Sequence, residues 1–271
     1  MDQIPIEEMD RSDEQWQSIF DSVKAELDSS SDSKPTSNRP RLTPEQLAPF
    51  IDHTILKLDA TEEQVDKLCE EAKHWHFAAI CVRENFVARA KKSLQGTNIH
   101  IACVVGFHEG TQPTVFKLEE ASRAIAAGAT ELDMVLNRDL LKQKQYAAVY
   151  EELKAMRDVV PEPVELKLIL ETSELDKAEV VYASVLAGYA GWDYIKTSSG
   201  FCGRGASVED VRLMKQLASI LGKTQSKEMK VKASGGIRSF KDAMDMIVFG
   251  ANRIGASAGV AMMEEAVEKS K

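Results

Sequence analysis

Residues 164–200 read VELKLILETSELDKAEVVYASVLAGYAGWDYIKTSSG, two short apolar runs on either side of a longer helical stretch. The runs are Val164–Leu170 and Trp192–Lys196, and Ser173 is a suitable first residue for the helix between them. Consecutive parallel strands need a crossover of roughly a dozen residues, which a helix supplies. The stretch therefore predicts one strand–helix–strand unit.

The same alternation continues from Leu42 to the C-terminus. Six further runs have strand character: Phe50–Leu56, Ala78–Val82, Ile99–Gly106, Thr130–Leu136, Met229–Ala233 and Arg253–Gly255. The remaining helices have suitable starts at Thr61, Pro113, Ser207 and Ser239. Eight strand–helix units in about 225 residues predict an α/β protein with a (β/α)8 TIM barrel. An open doubly wound sheet is the alternative, but Lys57–Thr61, the first strand–helix turn, lacks the glycines of a dinucleotide-binding loop.

Residues 1–41 differ from the rest of the chain. Ser12 and Gln15 form a candidate capping box, and apolar residues follow at helical spacing: Trp16, Ile19, Phe20, Val23 and Leu27. Residues 29–40 are polar, serine-rich and rich in proline, which is typical of a linker. We therefore predict an N-terminal extension over residues 1–41 and a barrel domain over residues 42–271. We favour a short helix that docks on the barrel or is disordered over a partner-binding or dimer-swapped arm.

The charge is concentrated in the extension. The chain has 34 basic and 43 acidic side chains, a formal net charge of −9. Residues 1–34 contain ten of the acids and three of the bases, so the barrel domain is close to neutral. Nucleic-acid and anionic membrane surfaces are bound by clusters of lysine and arginine, which this sequence lacks. We expect neither a nucleic-acid partner nor a membrane partner.

Cysteine usage and the absence of targeting signals indicate a cytoplasmic protein. No apolar run approaches the roughly 18 residues of a membrane span, and the acidic N-terminus has no signal-peptide pattern. The four cysteines form no Cys-x-x-Cys pair, so we expect reduced thiols. His74 and His76 form the one close histidine pair, but no further ligands lie at metal-site spacing. We predict a surface helix there and no metal.

Charged residues inside the predicted strands are the candidate catalytic groups. Asp133, Lys167, Lys196 and Lys232 lie in four such runs, and the reacting groups of a barrel lie at the C-terminal ends of its strands. Lysine is rarely buried without a partner, and a buried ion pair is an equal alternative for Lys167 alone. Two crowded ammonium groups lower a lysine pKa and give a free amine, which forms Schiff bases with carbonyl compounds. Asp133 is then a candidate proton shuttle.

Glycine-rich turns after the seventh and eighth runs are candidates for a phosphate site. Gly235 and Gly236 follow the seventh run, and Gly255–Gly259 follow the eighth and open the last helix. Backbone N–H groups in such turns, together with a helix N-terminus, bind phosphate in many barrels, and Arg238 adds a positive charge. These residues predict a barrel enzyme that acts on a small phosphorylated carbonyl compound through a lysine imine.

Eight motifs in this order resemble the deoxyribose-phosphate aldolases, a family of metal-independent class I aldolases, and the resemblance runs from Leu42 to the last helix. The motifs are Asp52–Leu56, Ala79–Val82, Val104–Phe107, Glu131–Asn137, Leu166–Thr172, Tyr194–Phe201, Val231–Arg238 and Arg253–Ser257. The resemblance implies reversible cleavage of 2-deoxy-D-ribose 5-phosphate into acetaldehyde and D-glyceraldehyde 3-phosphate, with no cofactor. Dimeric and tetrameric relatives imply a homo-oligomer.

The resemblance also implies roles for individual residues. Lys196 corresponds to the Schiff-base lysine, Lys232 to the lysine that promotes loss of its proton, and Asp133 to the proton-transfer group. A supporting network comprises Lys167, Asp52 and Thr54. The positions around the phosphate are Gly200, Phe201, Gly235, Gly236, Arg238, Gly255 and Ser257.

The sequence departs from the family pattern at three places. His108 and Glu109 replace the Pro-x of the family's Gly-Phe-Pro-x-Gly turn, and we predict that both are surface residues rather than catalytic additions. Ala258 replaces a serine near the phosphate, and no aromatic residue follows Phe249 to act as the C-terminal tyrosine of some relatives. The alternatives are a transaldolase-like or isomerase-like phosphosugar barrel, and a catalytically silent phosphometabolite-binding protein.

Overall fold

A computed structural model of the chain describes residues 11–29, 42–225 and 228–270. Its eight strands are parallel, pair in sequence order, and close into a barrel where the last strand pairs with the first. The strands are β1 (Ile51–Thr54), β2 (Ala79–Val82), β3 (His100–Val105), β4 (Glu131–Val135), β5 (Glu165–Ile169), β6 (Tyr194–Lys196), β7 (Lys230–Ser234) and β8 (Arg253–Ala256). The predicted (β/α)8 barrel is confirmed, and the open sheet is excluded.

Helices connect the strands and surround the barrel. They are α1 (Asp13–Ser29), α2 (Pro44–Leu47), α3 (Glu62–Trp75), α4 (Val87–Ser93), α5 (Thr114–Ala127), α6 (Arg138–Lys142), α7 (Tyr146–Val159), α8 (Lys177–Tyr189), α9 (Val208–Gln225), α10 (Phe240–Val248) and α11 (Gly259–Lys269). Within the described residues, none of these helices is both long and apolar enough to cross a membrane.

Most of the predicted helix starts are confirmed. Thr61 and Ser239 cap α3 and α10, Pro113 precedes α5, and the Ser207 hydroxyl accepts a hydrogen bond from the Asp210 N–H. The prediction at Ser173 is wrong, because residues Thr172–Glu174 form a 3-10 turn. Helix α8 begins at Lys177 after its N-cap Asp176, and the side chains of Asp176 and Glu179 each accept a hydrogen bond from the other residue's N–H.

Alternation along the strands divides apolar from charged side chains. Leu166 and Leu168 belong to the main core between barrel and helices, whereas Lys167 between them is buried among charged groups. Successive side chains of a strand point to opposite faces, so Lys167 points into the barrel. The apolar outward face fixes the register, and the register in turn places the charged residues together inside.

Helix α1 packs on the outside of the barrel. Trp16, Phe20 and two further apolar residues, Val23 and Leu27, are buried against α7, α8 and α9. The Phe20 ring lies 4.5 Å from the Tyr182 ring, measured between centroids. The predicted helix docks on the barrel, as favoured over a partner-binding arm. The predicted linker lies largely outside the described residues, so the domain division at residue 41 stays a prediction.

We expect Phe20→Ala to lower the free energy of unfolding by about 3 kcal/mol, because the substitution removes a fully buried ring from the α1 contact. Ser22→Ala, on the exposed side of the same helix, is the matched control and is expected to leave stability unchanged. Urea unfolding followed by circular dichroism measures both. Equal stability of the two variants would show that α1 is not held by this contact.

Candidate active site

The strand register brings the predicted catalytic residues together. Lys196 on β6 lies opposite Lys232 on β7, and Asp133 on β4 lies opposite Lys167 on β5. Asp133, Lys167 and Lys232 are fully buried, and Lys196 is 3% exposed. Four groups predicted from separate strands therefore form one cluster inside the barrel.

Asp133 is the centre of this cluster. Its Oδ2 accepts hydrogen bonds from Lys196 Nζ and Lys232 Nζ, both at 2.7 Å, and its Oδ1 accepts one from Lys167 Nζ at 2.9 Å. Burial raises the pKa of Asp133, but the three ammonium groups outweigh burial and hold this pKa well below its usual value. Asp133 is therefore an ionised acceptor that three lysines share.

The pKa of Lys232 does not follow the expectation that crowded ammonium groups lower the pKa of a lysine. Its Nζ lies 2.5 Å from Asp52 Oδ2 as well as 2.7 Å from Asp133. Burial lowers the pKa of Lys232, but the two carboxylates outweigh burial and raise this pKa above its ordinary value. The expectation is wrong for Lys232, which stays a cation. Among the described residues, Lys196 by contrast contacts one carboxylate, that of Asp133, and shares it with Lys232.

Lys167 is a second permanent cation, and its partners include a residue that the sequence analysis missed. Lys167 Nζ donates to Glu131 Oε2 at 2.5 Å and to Asp133. Burial lowers the pKa of Lys167, but the Asp133 and Glu131 carboxylates outweigh burial. The pKa of Lys167 therefore lies above its ordinary value. Lys167 is therefore part of a buried ion pair and also lies in the same cluster as Lys196 and Lys232.

Arg253 also belongs to the cluster and was missed. Its Nη2 donates to the Glu131 carboxylate at 3.1 Å, and its Nε donates to Asp52 Oδ1 at 2.6 Å. Strand periodicity could have identified both missed residues. Glu131 lies two positions before Asp133, and Arg253 lies two positions before Gly255, so each pair shares a strand face.

Asp52 and Thr54, the predicted supporting residues, lie on β1. Both oxygens of Asp52 are engaged by Lys232 and Arg253, and the Thr54 hydroxyl donates to the Asp52 backbone carbonyl at 2.9 Å. Burial raises the pKa of Asp52, but Arg253 and then Lys232 outweigh it and lower this pKa to about 2. Asp52 is therefore an ionised group that pairs with both Lys232 and Arg253.

The opposite side of the barrel interior is apolar. Four residues from β2, β3 and the loop after β1 form a small buried cluster, and Phe107 packs against it: Leu56, Cys81, Ala102 and Val104. Burial raises the pKa of the Cys81 thiol, so this group is neutral. The interior thus has a charged side built from β4–β8 together with Asp52 of β1, and an apolar side built mainly from β2 and β3.

The predicted phosphate glycines form close-packed turns after β6 and β7. Gly200 and Gly235 have φ values of 85° and 84°, in the region that favours glycine. A Cβ on Gly235 would lie 3.1 Å from Gly205 Cα and 3.3 Å from Gly200 Cα. The two loops therefore touch through bare backbone. Gly236, also at positive φ, continues the same turn.

The other predicted phosphate residues surround the ends of β7 and β8. Gly255 leaves room for a neighbour, because a Cβ there would lie 2.2 Å from the Ser234 hydroxyl. Arg238 and Ser257 are exposed, outside the buried charge cluster. Ala258 precedes α11 without capping it through a side chain, so the first N–H groups of this helix have no side-chain cap.

Aromatic rings lie beside the glycine turns. The His108 ring stacks on the Phe201 ring with 5.3 Å between centroids and an interplanar angle of 17°. His108 Nδ1 also lies 3.8 Å from the Cys202 sulfur. Glu109 is exposed as predicted, whereas His108 is only partly exposed because its ring packs on Phe201. The stack joins the loop after β3 to the loop after β6.

Glu171 is a further buried residue at this end of the barrel that the sequence analysis did not single out. It follows β5 with φ 59°, and its Oε2 accepts a hydrogen bond from the Ser199 N–H at 3.1 Å. Glu171 thereby ties the end of β5 to the turn that begins at Ser199. In the part of the chain that the structure describes, no group of three or more His, Cys, Asp or Glu side chains has the arrangement of a metal site.

Comparison with known proteins gives the family. The family model described as DeoC/LacD family aldolase matches residues 47–265, which include every strand of the barrel. The chain belongs to this aldolase family. Two curated relatives of the aldolase are named deoxyribose-phosphate aldolase. The relative from Coccidioides immitis is 48% identical over 219 residues, which cover 81% of this chain and 80% of the relative. The relative from Clostridium tetani is 44% identical over 220 residues, 81% of this chain and 99% of the relative.

Solved structures agree with the fold of this aldolase. The crystal structure of a Coccidioides immitis protein provisionally named deoxyribose-phosphate aldolase superposes with a TM-score of 0.88 at 43% identity, covering 96% of this chain and 100% of that one. A tetrameric deoxyribose phosphate aldolase from Aeropyrum pernix superposes with a TM-score of 0.74 at 34% identity, covering 83% of this chain and 92% of that one.

We expect the lowered pKa of Asp52 to make the stability of the aldolase depend on pH below about 4. A carboxyl whose pKa is about 2 in the folded chain and ordinarily 3.8 stabilises the fold at higher pH. That contribution, about 2 kcal/mol, is lost as the pH falls from about 4 to about 2. In urea unfolding series over this range, Asp52→Asn is expected to give a flatter pH dependence.

Asp59, which is exposed in the loop after β1, provides the matched control for this series. Asp59→Asn is expected to keep the wild-type slope. A slope for Asp52→Asn as steep as that of Asp59→Asn would contradict the assignment of acid sensitivity to the buried cluster.

Proposed function

We propose that this aldolase reversibly cleaves 2-deoxy-D-ribose 5-phosphate into acetaldehyde and D-glyceraldehyde 3-phosphate through a Schiff base on Lys196. The observation that carries the proposal is the Asp133 carboxylate shared by Lys196, Lys232 and Lys167 inside the barrel. The names of the relatives from Coccidioides immitis and Clostridium tetani support the choice of substrate.

Lys196 is the lysine best suited to become a free amine. It is the last residue of β6, and the C-terminal ends of the strands are where barrel enzymes bind substrate. Lys167 and Lys232 each contact two carboxylates, whereas Lys196 contacts one. Loss of a proton from Lys196 therefore breaks the fewest ion pairs. The ammonium group of Lys232 then disfavours renewed protonation of Lys196, because the two positive charges would repel each other.

The reaction follows from an amine at this position. The neutral amine of Lys196 adds to the aldehyde carbon of the open-chain sugar, and loss of water from the carbinolamine leaves an iminium. The bond between the CH2 carbon, C2, and C3 then breaks, and its electron pair enters an enamine. The C3 hydroxyl loses its proton as glyceraldehyde 3-phosphate leaves. Protonation of the enamine carbon and hydrolysis of the iminium release acetaldehyde and restore the amine.

Asp133 is the group proposed to move protons in these steps. Its carboxylate lies within hydrogen-bond distance of Lys196 Nζ, where protons must leave and return as the carbinolamine forms and dehydrates. Lys232 and Lys167 keep Asp133 ionised between these steps. No cofactor enters the proposal, because the iminium itself accepts the electron pair of the broken bond.

The glycine turns are proposed to hold the phosphate. Gly200, Gly235 and Gly236 offer backbone N–H groups without side chains above them, and Gly255 and Ser257 lead into the uncapped start of α11. Arg238 adds a charged donor, and its guanidinium makes no hydrogen bond or ion pair with the described residues. Phe201 forms an apolar edge through its stack with His108.

Assembly and location belong to the same proposal. A homo-oligomer is supported by the tetrameric relative from Aeropyrum pernix. A cytoplasmic location is supported by the four free cysteines, since a reducing compartment keeps thiols unpaired. Small phosphorylated sugars and aldehydes are the proposed partners, with neither nucleic acid nor membrane among them.

We expect incubation with acetaldehyde and borohydride to leave a stable ethyl group on Lys196, because borohydride reduces an imine to a secondary amine. Intact-mass measurement and peptide mapping identify the modified lysine. Lys196→Met is expected to abolish the adduct and to lower the rate of deoxyribose 5-phosphate cleavage by about 1000-fold or more.

Lys230→Met is the matched control, since Lys230 lies on the neighbouring strand and pairs with Glu165 rather than Asp133. This variant is expected to keep both the adduct and the activity. A folded wild-type protein that forms no adduct would exclude Schiff-base chemistry and favour an isomerase-like barrel or a silent binding protein. An adduct without cleavage of deoxyribose 5-phosphate would favour a transaldolase-like substrate.

We expect Arg238→Gln to raise KM for deoxyribose 5-phosphate by about 10-fold, because it removes one charge-assisted hydrogen bond to phosphate. The KM for unphosphorylated deoxyribose is the internal control and is expected to stay unchanged. Steady-state kinetics with both sugars measure the difference. An equal rise for both sugars would mean that Arg238 acts on the loop rather than on the phosphate.

A further inference from the structure

We infer that Glu131 and Arg253 are positioning residues that set the pH range of the reaction by fixing the net charge around Lys196. The inference rests on the proposed Schiff-base function. Neither residue lies where substrate is proposed to bind: each begins its strand, at the end of the barrel opposite the glycine turns. Their effect on the reaction must therefore pass through other residues.

Contacts connect both residues to the catalytic lysines. Arg253 donates to Glu131 and to Asp52, and Glu131 in turn accepts from Lys167. Lys167 and Asp52 are the residues that hold Asp133 and Lys232 in place. Arg253 and Glu131 thus form a layer of charge beneath the layer that contains Lys196.

The sum of charges gives this layer its effect. The cluster contains four cations, Lys167, Lys196, Lys232 and Arg253, and three carboxylates, Asp52, Glu131 and Asp133. With all seven groups ionised, the cluster carries one surplus positive charge. Release of the proton from Lys196 removes that surplus. The buried cluster is therefore balanced in the form that has a free amine, the form that attacks carbonyls.

Removing the charge of Glu131 and removing the charge of Arg253 change the net charge of the cluster in opposite directions. Without the Glu131 charge, the surplus rises to two, so release of a proton is favoured at lower pH. Without the Arg253 charge, the surplus disappears while Lys196 is still protonated, so release of a proton requires higher pH. Removing both charges restores the original surplus of one.

Other titratable groups face the cluster, and none of them is substituted in these variants. The His100 ring lies 3.7 Å from Glu131 and is half exposed, and the Tyr194 ring lies beneath Lys167 Nζ at 5.6 Å. Burial raises the pKa of Tyr194 and of Cys81, so both stay neutral in the range where the reaction is proposed to run. Lys230 and Glu165 form a separate, partly exposed pair on the same strands.

The experiment compares the pH dependence of two measurements in the full-length protein. One is kcat/KM for deoxyribose 5-phosphate, and the other is the rate at which acetaldehyde and cyanoborohydride modify Lys196. Glu131→Gln is expected to shift the low-pH limb of both profiles by about one unit to lower pH. Arg253→Gln is expected to shift this limb by a similar amount to higher pH. The double variant and Arg253→Lys are expected to stay close to the wild-type position.

Glu165→Gln and Lys230→Gln form the matched control pair, because they neutralise an ion pair on β5 and β7 outside the cluster. Neither is expected to move the low-pH limb. Shifts of Glu131→Gln and Arg253→Gln in the same direction, no shift in Glu131→Gln, or a displaced double variant would overturn the inference. Glu131→Gln preserves side-chain shape, so its shift decides the test if Arg253→Gln does not fold.

The wild-type protein separates this inference from the function on which it rests. If wild-type Lys196 forms no adduct at any pH, the Schiff-base function itself fails. If wild-type Lys196 forms the adduct and the variants keep the wild-type profile, the function stands and the role given to Glu131 and Arg253 fails. Arg253→Lys displaced as far as Arg253→Gln would show that side-chain shape, rather than charge, is responsible.

Discussion

The structure of the site depends on one carboxylate that three lysines share. Asp133 satisfies Lys196, Lys232 and Lys167 at once, and without it three ammonium groups would be buried beside one another. An arrangement of this kind requires strands held in a fixed register, because a slip of one residue would turn a side chain to the opposite face. The closed barrel provides that register, since every strand has a neighbour on both sides. Fold and chemistry are therefore linked through the ladder of strand pairs.

The electrostatics of the cluster separate its lysines into two kinds. Lys232 and Lys167 are compensated by two carboxylates each and remain cations, whereas Lys196 shares its one carboxylate. Neighbouring ammonium groups alone do not make a free amine, because added carboxylates reverse their effect. What distinguishes Lys196 is its low share of compensating charge. Lysines on adjacent strands thus differ in electrostatic environment because they differ in the number of carboxylates that they contact.

Much of this architecture could be predicted from the sequence. The strands of a parallel barrel are buried on both faces, so they read as apolar runs, and the few charged residues within them are conspicuous. The position of the glycine turns after β7 and β8 is likewise evident from the sequence, and this position makes them candidates for a phosphate site. Prediction failed where the outcome depended on a partner distant in sequence. The sequence gives no sign that Asp52 on β1 contacts Lys232 on β7, so the sequence alone does not predict the raised pKa of Lys232.

Local competition and aromatic contacts explain the other differences. Ser173 and Asp176 are both suitable caps, and Asp176 prevails because Glu179 returns its hydrogen bond. His108 departs from the family pattern at an apparently exposed turn, and only the fold shows that Phe201 lies against its ring. Glu131 and Arg253 are not apparent as site residues from the sequence because they occupy the starts of their strands, whereas the reacting groups of a barrel lie near the strand ends.

The division of the barrel interior into a charged side and an apolar side has a consequence for very small ligands. A two-carbon aldehyde has too few atoms for recognition by many hydrogen bonds. It is nevertheless amphiphilic, with an oxygen at one end and a methyl group at the other. Between the lysines and the wall of Leu56, Cys81, Ala102 and Val104, such a molecule has one favourable direction. An interior divided in this way favours one orientation of such a molecule before any covalent bond forms.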